Sequence, residues 1–388
     1  MGYFELAIWG YFLYAFAPSV TLLRDDEHIS RAVSGLHGTA LAAGTVLAGI
    51  FGSRLIRRFG RAHMMWAALT IMAGGVVIIT SCKVFPITMA GALIAGLGGT
   101  LTNNIVTAML TAHHQGRAAR VAVTQGNGLG SGAGIFAPLL IGGSIALGVG
   151  WRAGMLIILV PILAVIMKFR HTVTPDAIGV QPPEAHAATG RLPLEYWRAC
   201  FVIVMTTAIE FSMTIWSSDV LHNHFGLSKG MATTGVTAIV AGMTVGRFAS
   251  GRLTLRYHAD ALLLCVFGIS ISGFVVFWMA TVPWVAFVGL FITGLGISLQ
   301  FPLAITRAIG FAGGRPDLGA AYTSLATGSA IALAPFGLGA FADHVGAHTA
   351  LLVVPVFVLL GIVGVATTRG RPLAVPAAVI GDVQVNPA

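Results

Sequence analysis

Thr207, Glu210, Thr214 and Ser217 stand three, four and three residues apart. In a helix that spacing places them on one face. The surrounding run, 196–221, is otherwise apolar and long enough to cross a bilayer. Glu210 therefore falls near the bilayer midplane, where a charged side chain costs about 3 kcal/mol or more and usually faces a wet cavity. A carboxyl held there can load and release a proton. The alternative is a protonated Glu hydrogen-bonded between helices as a packing device.

Other apolar runs carry further polar groups. Run 283–310 holds Thr293, Gln300 and Arg307 at seven-residue spacing. Gln300 is deep, and a buried amide must be bonded, so it contacts either a solute or a neighbouring helix. Arg307 lies near the end of its run, as a solute contact or as a surface cation. Asn103 and Asn104 in run 86–109 point about 100° apart, so at most one faces a cavity squarely. Tyr11 and Tyr14 share one side of the first run; each offers an apolar ring and a hydroxyl, for solute or for packing. Trp216 and Asp219, above Glu210, are placed to guard an entrance, although an Asp there also suits a solvated helix end. His37 can tune a pH response or simply satisfy a helix interface.

These residues need a membrane scaffold to hold them. Hydrophobic residues make up 56 % of the 388 and charged residues 9 %, against about 25 % charged in a soluble domain. Mean hydropathy is +0.88. The formal net charge of +9 sits in short connections between apolar runs, which points to the membrane surface and excludes nucleic acid as partner. Cys82, Cys200 and Cys265 are far apart and odd in number, so neither a disulfide framework nor a metal site results. His113-His114 are adjacent and cannot chelate one ion from a helix. Gly126-x-Gly128-x-Gly130 lies inside an apolar run with no strand before it, which excludes a dinucleotide loop. No cofactor is expected.

Twelve runs have the length of a spanning helix: 3–23, 34–53, 64–82, 86–109, 119–147, 152–168, 196–221, 230–254, 260–281, 283–310, 318–342 and 348–368. Backbone groups in lipid must bond within their own segment, so these are helices. The first run has no basic region before it and reads as a retained helix. The sequence also repeats at half its length. Gly96-Leu97-Gly98 recurs as Gly294-Leu295-Gly296, and Ala43-Gly44 as Ala241-Gly242, both at an offset of 198; Ala137-Pro138 recurs as Ala334-Pro335. The reading is an all-α membrane protein of twelve helices in two pseudo-symmetric six-helix bundles, 1–169 and 196–368, joined by a Pro-rich linker, 170–195, and ending in a disordered tail, 369–388. Duplicated bundles of this kind place their solute at the seam. With both termini in the cytoplasm, every Lys and Arg except Arg24, Arg31, Lys83, Arg152 and Lys229 falls inside, as the positive-inside rule requires.

Gly52-Ser53-Arg54-Leu55-Ile56-Arg57-Arg58-Phe59-Gly60-Arg61 resembles the loop between helices two and three of the major facilitator superfamily, where it ends Asp-Arg-x-Gly-Arg. Arg58, Gly60 and Arg61 match; Arg57 stands where the family has Asp, and a cation cannot replace that part of its cytoplasmic lock. Gly246-Arg247-Phe248-Ala249-Ser250-Gly251-Arg252-Leu253 is similar to the family's helix-eight ending, and Gly134 through Pro138 to Gly143 partly resembles the helix-five motif of proton-driven drug exporters. The resemblance implies that helices one, four, seven and ten line a cavity and that helices two, five, eight and eleven form the sliding interface. It implies gating roles for Arg58, Gly60, Arg61 and Arg247, and for Pro138 and Pro335. Gly126, Gly130 and Gly134, with Gly242, Gly246 and Ser250, make small-residue ladders suited to such an interface.

The function expected is secondary transport by alternating access, as a multi-pass, monomeric protein of the cytoplasmic membrane. Glu210 exchanges the proton. Tyr11, Tyr14, Asn103, Asn104, Thr207, Thr214, Trp216, Gln300 and Arg307 are the candidate solute contacts. Proton-coupled export of a small amphiphilic or weakly cationic compound comes first, and uptake of a small organic acid or sugar second. A non-transporting membrane sensor is the reading from another class, resting on Arg57. No nucleophile or metal set supports an enzyme.

Overall fold

The computed structural model describes residues 2–113, 116–169, 192–313 and 316–368. They form twelve spanning segments: α1 (Gly2–Glu27), α2 (Arg31–Phe59), α3 (Arg61–Ser81), α4 (Phe85–His113), α5 (Gly116–Ala146), α6 (Trp151–Phe169), α7 (Leu194–Asn223), α8 (Lys229–Arg256), α9 (Ala259–Trp278), α10 (Pro283–Gly310), α11 (Pro316–Val345) and α12 (Ala347–Thr367). A turn interrupts α6 at Ile157–Ile158 and α12 at Leu351–Leu352. No strand occurs among the described residues. Eleven of the segments are long and apolar enough to cross a membrane. The twelfth, α8, is 28 residues long, but its threonines, glycines and Arg247 dilute its hydropathy. Most helices overrun the expected apolar cores, because a helix need not stop where hydrocarbon does. Most of the linker, 170–191, and the tail, 369–388, lie outside the described residues, and α7 begins two residues before the expected 196.

The sequence repeat reappears as a repeat of contacts. A methyl group added to Gly44 would lie 2.1 Å from the Leu93 carbonyl oxygen; one on Gly242 would lie 2.1 Å from that of Phe291. All four positions obey the offset of 198. Gly75 meets Ala95 as Gly273 meets Thr293, and Gly98 meets Met72 as Gly296 meets Ser270. These glycines let α2, α3 and α4, and their counterparts α8, α9 and α10, approach backbone to backbone. The repeat extends to the caps: Ser30 accepts a hydrogen bond from the Val33 amide at the start of α2, and Ser228 accepts one from Met231 at the start of α8. Because the two sites are equivalent, Gly44→Ala and Gly242→Ala are expected to destabilise by similar amounts, about 1–3 kcal/mol each. Thermal melting of the two purified variants checks this, and a large inequality would show that the bundles pack differently.

Between the bundles, α2 packs on α11 and α5 on α8, while α1 meets α7. The glycines of the two ladders do not form that seam, and the side chain of Ser250 lies outside the described residues. Gly126 and Gly130 face Leu6 on α1, Gly134 faces the Tyr14 ring, and Gly242 and Gly246 face α10. They tighten each bundle internally, since a helix buries its smallest stripe where its neighbour comes closest. The α5–α8 seam is built instead from Gly142 against Gly230 and Gly128 against Phe248, with the Thr237 hydroxyl donating to the Ile135 carbonyl at 3.5 Å.

Candidate functional site

The face away from the termini, here the far face, is latched shut by charge. Asp219, at the end of α7, has a side chain only 1 % exposed and pairs with two arginines from the other bundle. Arg24 of α1 binds one carboxylate oxygen; the Arg31 Nε of α2 donates to the other at 2.9 Å. Asn223 Nδ2 adds a bond at 2.8 Å. The reciprocal bridge runs from Lys229 of α8 to Asp25 of α1 at 2.6 Å. Arg31 and Lys229 are equivalent positions in the repeat, so each bundle sends its matching cation across to the other's acid. Asp343 of α11 adds a third tie, accepting from the Arg31 and Ala32 amides at 2.8 and 2.9 Å. Asp219 is thus not a solvated helix end: its carboxylate is buried between two arginines.

Beneath the latch, polar side chains from both bundles converge on Glu210. The Tyr14 hydroxyl of α1 lies beside both Glu210 and Arg247 and donates to Met243 Sδ at 3.8 Å. Arg247 of α8 attracts the Glu210 carboxylate and donates to Ser131 Oγ of α5. Ser131 in turn donates to the Asn127 carbonyl at 3.1 Å. Tyr14 and Ser131 belong to one bundle, Glu210, Met243 and Arg247 to the other. Glu210 itself is half-buried, among α7 neighbours that are mostly fully buried. This assembly joins an acid, a base that is always charged and two hydroxyls across the seam. It can bind a polar solute, and a proton on Glu210 changes the net charge offered to that solute.

The other expected contacts are distributed elsewhere. The Tyr11 hydroxyl donates to the Gly154 carbonyl of α6 at 2.7 Å, inside its own bundle. Trp216 is fully buried, its Nε1 donating to the Pro335 carbonyl at 3.2 Å. Arg307 is 4 % exposed and forms a strut within the second bundle: its Nε donates to Asp260 at 2.7 Å and an Nη to the carbonyls of Val365 and Thr368. Thr214 bonds back to the Glu210 carbonyl at 2.8 Å. Thr207 and Gln300 are buried with side-chain polar atoms that have no partner. Asn103 is half-buried and Asn104 exposed on α4. Of the gating set, Arg58 is exposed, with its guanidinium over the Phe59 ring at 5.3 Å. Gly60 has φ +81 between α2 and α3, a conformation that favours glycine. Arg61 is half-buried, and Pro138 and Pro335 are buried inside α5 and α11. Ser131 and Met243 escaped the sequence reading, since neither is a distinctive residue in an apolar run.

The sequence matches the family model described as Major Facilitator Superfamily over residues 6–335. The chain belongs to the major facilitator superfamily. Among curated proteins nothing matches it in sequence. Solved structures of the fold are plentiful. A bacterial homolog of the human lysosomal transporter Spinster, inward-facing and occupied, matches with TM-score 0.73 and 15 % identity, over 94 % of this chain and 95 % of that one. The xylose transporter XylE from E. coli, partially occluded and inward open, matches with TM-score 0.74 and 11 % identity, over 94 % and 96 %. FucP in the outward conformation matches with TM-score 0.61 and 15 % identity, over 95 % and 100 %. As a superfamily member the chain is a multi-pass membrane transporter of a small solute and not an enzyme; the sensor reading has no support.

Proposed function

We propose that this superfamily member is a proton-coupled symporter for a small solute carrying an anionic group, and that Glu210 and Arg247 are its exchange pair. The observation that carries this reading is the placing of Arg247 beside Glu210, with Tyr14 of the opposite bundle next to both and Ser131 of that bundle accepting from Arg247. A fixed cation there disfavours the weakly cationic solute that the sequence put first, and it supports the organic acid that came second. Without solute, the Glu210 carboxylate partners Arg247. A proton arriving on Glu210 removes its charge and frees Arg247 to bind the solute's anionic group. Proton and solute then occupy the site together, and the bundles rock around it. Tyr14 and Ser131 are positioned to register that occupancy in the first bundle. The five outward cations noted in the sequence include Arg24, Arg31 and Lys229, all members of the latch. With the termini cytoplasmic, the latch is extracellular and the state described is closed to the outside. Arg307 is left out of the proposed solute contacts because its Nε and one Nη are held by Asp260 and two carbonyls of its own bundle.

Proteoliposomes with an imposed pH gradient test the coupling. Wild-type protein is expected to accumulate a small organic acid when the outside is acidic. Glu210→Gln, a permanent mimic of the protonated acid, is expected to lose at least about tenfold of that accumulation yet keep solute exchange at equilibrium. Accumulation by Glu210→Gln equal to wild type would overturn Glu210 as the coupling group. Uptake favoured by an alkaline exterior would indicate antiport.

A further inference from the structure

The last three residues of α1 are all acidic, and each ties the helix end to a different partner. Asp25 crosses to Lys229 on α8. Asp26 accepts from Trp151 Nε1 at 2.9 Å and pairs with Arg152, both on α6. Glu27 turns inward, its side chain only 1 % exposed, into a polar pocket of the first bundle. There Thr88 Oγ of α4 lies 2.6 Å from one Glu27 oxygen and 3.0 Å from Nε2 of His37 on α2. The other His37 nitrogen, Nδ1, lies 3.0 Å from the Ser34 carbonyl oxygen. His37 and Thr88 are both fully buried, and the His37 ring meets the edge-on ring of Phe85 at 5.3 Å.

Counting protons along this chain gives a result that distances alone do not. Three links run Ser34 O, His37, Thr88, Glu27, and each needs one hydrogen. The Ser34 carbonyl can only accept, so Nδ1 must carry a proton. The Thr88 hydroxyl has one proton, which serves either Nε2 of His37 or the Glu27 oxygen. The remaining link needs another hydrogen, on Nε2 or on the Glu27 carboxyl. A neutral imidazole beside an ionised carboxylate supplies only two hydrogens for three links. If Thr88 turns its proton to the Phe85 carbonyl, 3.0 Å away, the deficit grows. Leaving a buried polar contact without its hydrogen is costly.

We infer that Glu27, Thr88 and His37 form a proton-binding site, separate from Glu210, that holds one proton as a unit and so fastens the far-face end of α1 to α2 and α4. The charged groups facing it are Asp26 on α1 and Arg152 on α6. The bound proton leaves the triad as imidazolium with carboxylate, or as neutral imidazole with carboxylic acid; both satisfy all three links. Losing it breaks a link two residues from Asp25, which ties α1 to Lys229 of the other bundle. The site thus makes the fastening of the far face depend on the acidity of that side. It stands whatever solute the transporter carries.

The test reads the proton directly in wild-type protein in detergent at pH 7.5. One arm is the nitrogen NMR of 15N-histidine-labelled protein, with His37 assigned through His37→Gln. The other is infrared absorption of carboxylic acid groups, compared with Glu27→Gln, whose amide can donate to Thr88 in the proton's place. The expected result is an imidazolium signal from His37, or a carboxylic acid band that Glu27→Gln removes. A His37 that is neutral with a bare Nε2, together with no acid band lost in Glu27→Gln, would overturn the site. Neither arm involves transport, so this outcome is separable from failure of the Glu210 mechanism.

Discussion

Replacing Asp219 by Asn is expected to unlatch the far face. Asp219 is 1 % exposed and takes two guanidinium groups, from Arg24 and Arg31, so removing its charge leaves both cations without their shared acid. Removing one partner of a buried ion pair typically costs about 3–5 kcal/mol. Arg24 and Arg31 retain 12 % and 24 % exposure, and water reaching them trims the loss to about 2 kcal/mol. The loss falls only on the state in which the bundles meet at this face. It therefore appears as a population shift of about 30-fold towards the opened state more than as general unfolding. Ser218, 3 % exposed and 3.2 Å from Thr21 across the seam, supplies the reporter. In a background with the three native cysteines replaced, Ser218→Cys is expected to react slowly with a membrane-impermeant thiol reagent. Adding Asp219→Asn is expected to speed that reaction about 30-fold. An unchanged rate in a protein that still melts cooperatively would mean that the latch adds nothing to closure. Lys229→Ala removes the reciprocal bridge, but Lys229 is 45 % exposed, and its effect is expected to be much smaller.

The architecture was legible because lipid makes every span announce itself by length and hydropathy, and because gene duplication left glycines at a constant offset. Those glycines turned out to mark contacts, as Gly44 and Gly242 show. What the sequence could not give was the direction in which long side chains reach. Arg307 and Arg247 look alike in a list of cations near helix ends. In the fold, Arg307 is consumed by Asp260 and two carbonyls of its own bundle, while Arg247 reaches across to Ser131. Tyr11 and Tyr14 share a helix side, yet one bonds α6 and the other meets Glu210. Three residues along a helix turn the side chain by about 60° from its predecessor, enough to change bundles. Spacing identifies a stripe, but which end of the stripe meets a partner depends on helix tilt, which no local pattern encodes. The latch was hidden for another reason: Arg24, Arg31 and Lys229 read as exceptions to a charge rule, and their acids lie in distant parts of the chain.

Arg247 is where the choice of solute is decided. Replacing it by Gln is expected to weaken binding of an anionic solute by about 100-fold, because a bond to a charged group contributes about 1.5–3 kcal/mol. Lys at the same place keeps the charge but loses the planar fork that serves Ser131 and the site together; its expected loss is nearer tenfold, about 1.4 kcal/mol. The measurement is solute affinity by thermal shift on purified protein, with an organic acid and its uncharged amide analogue compared on each variant. A structural defect at Arg247 would weaken both compounds alike. A lost charge contact weakens the acid and leaves the amide as it was. The order wild type, Lys, Gln for the acid, with no order for the amide, follows only if the guanidinium faces the solute's anionic group. If the acid binds Arg247→Gln as well as wild type, the cation serves only Glu210. Glu210 would then hold either a proton or a weakly cationic solute, one leaving as the other arrives, and exchange in the opposite sense becomes the better account of the same site.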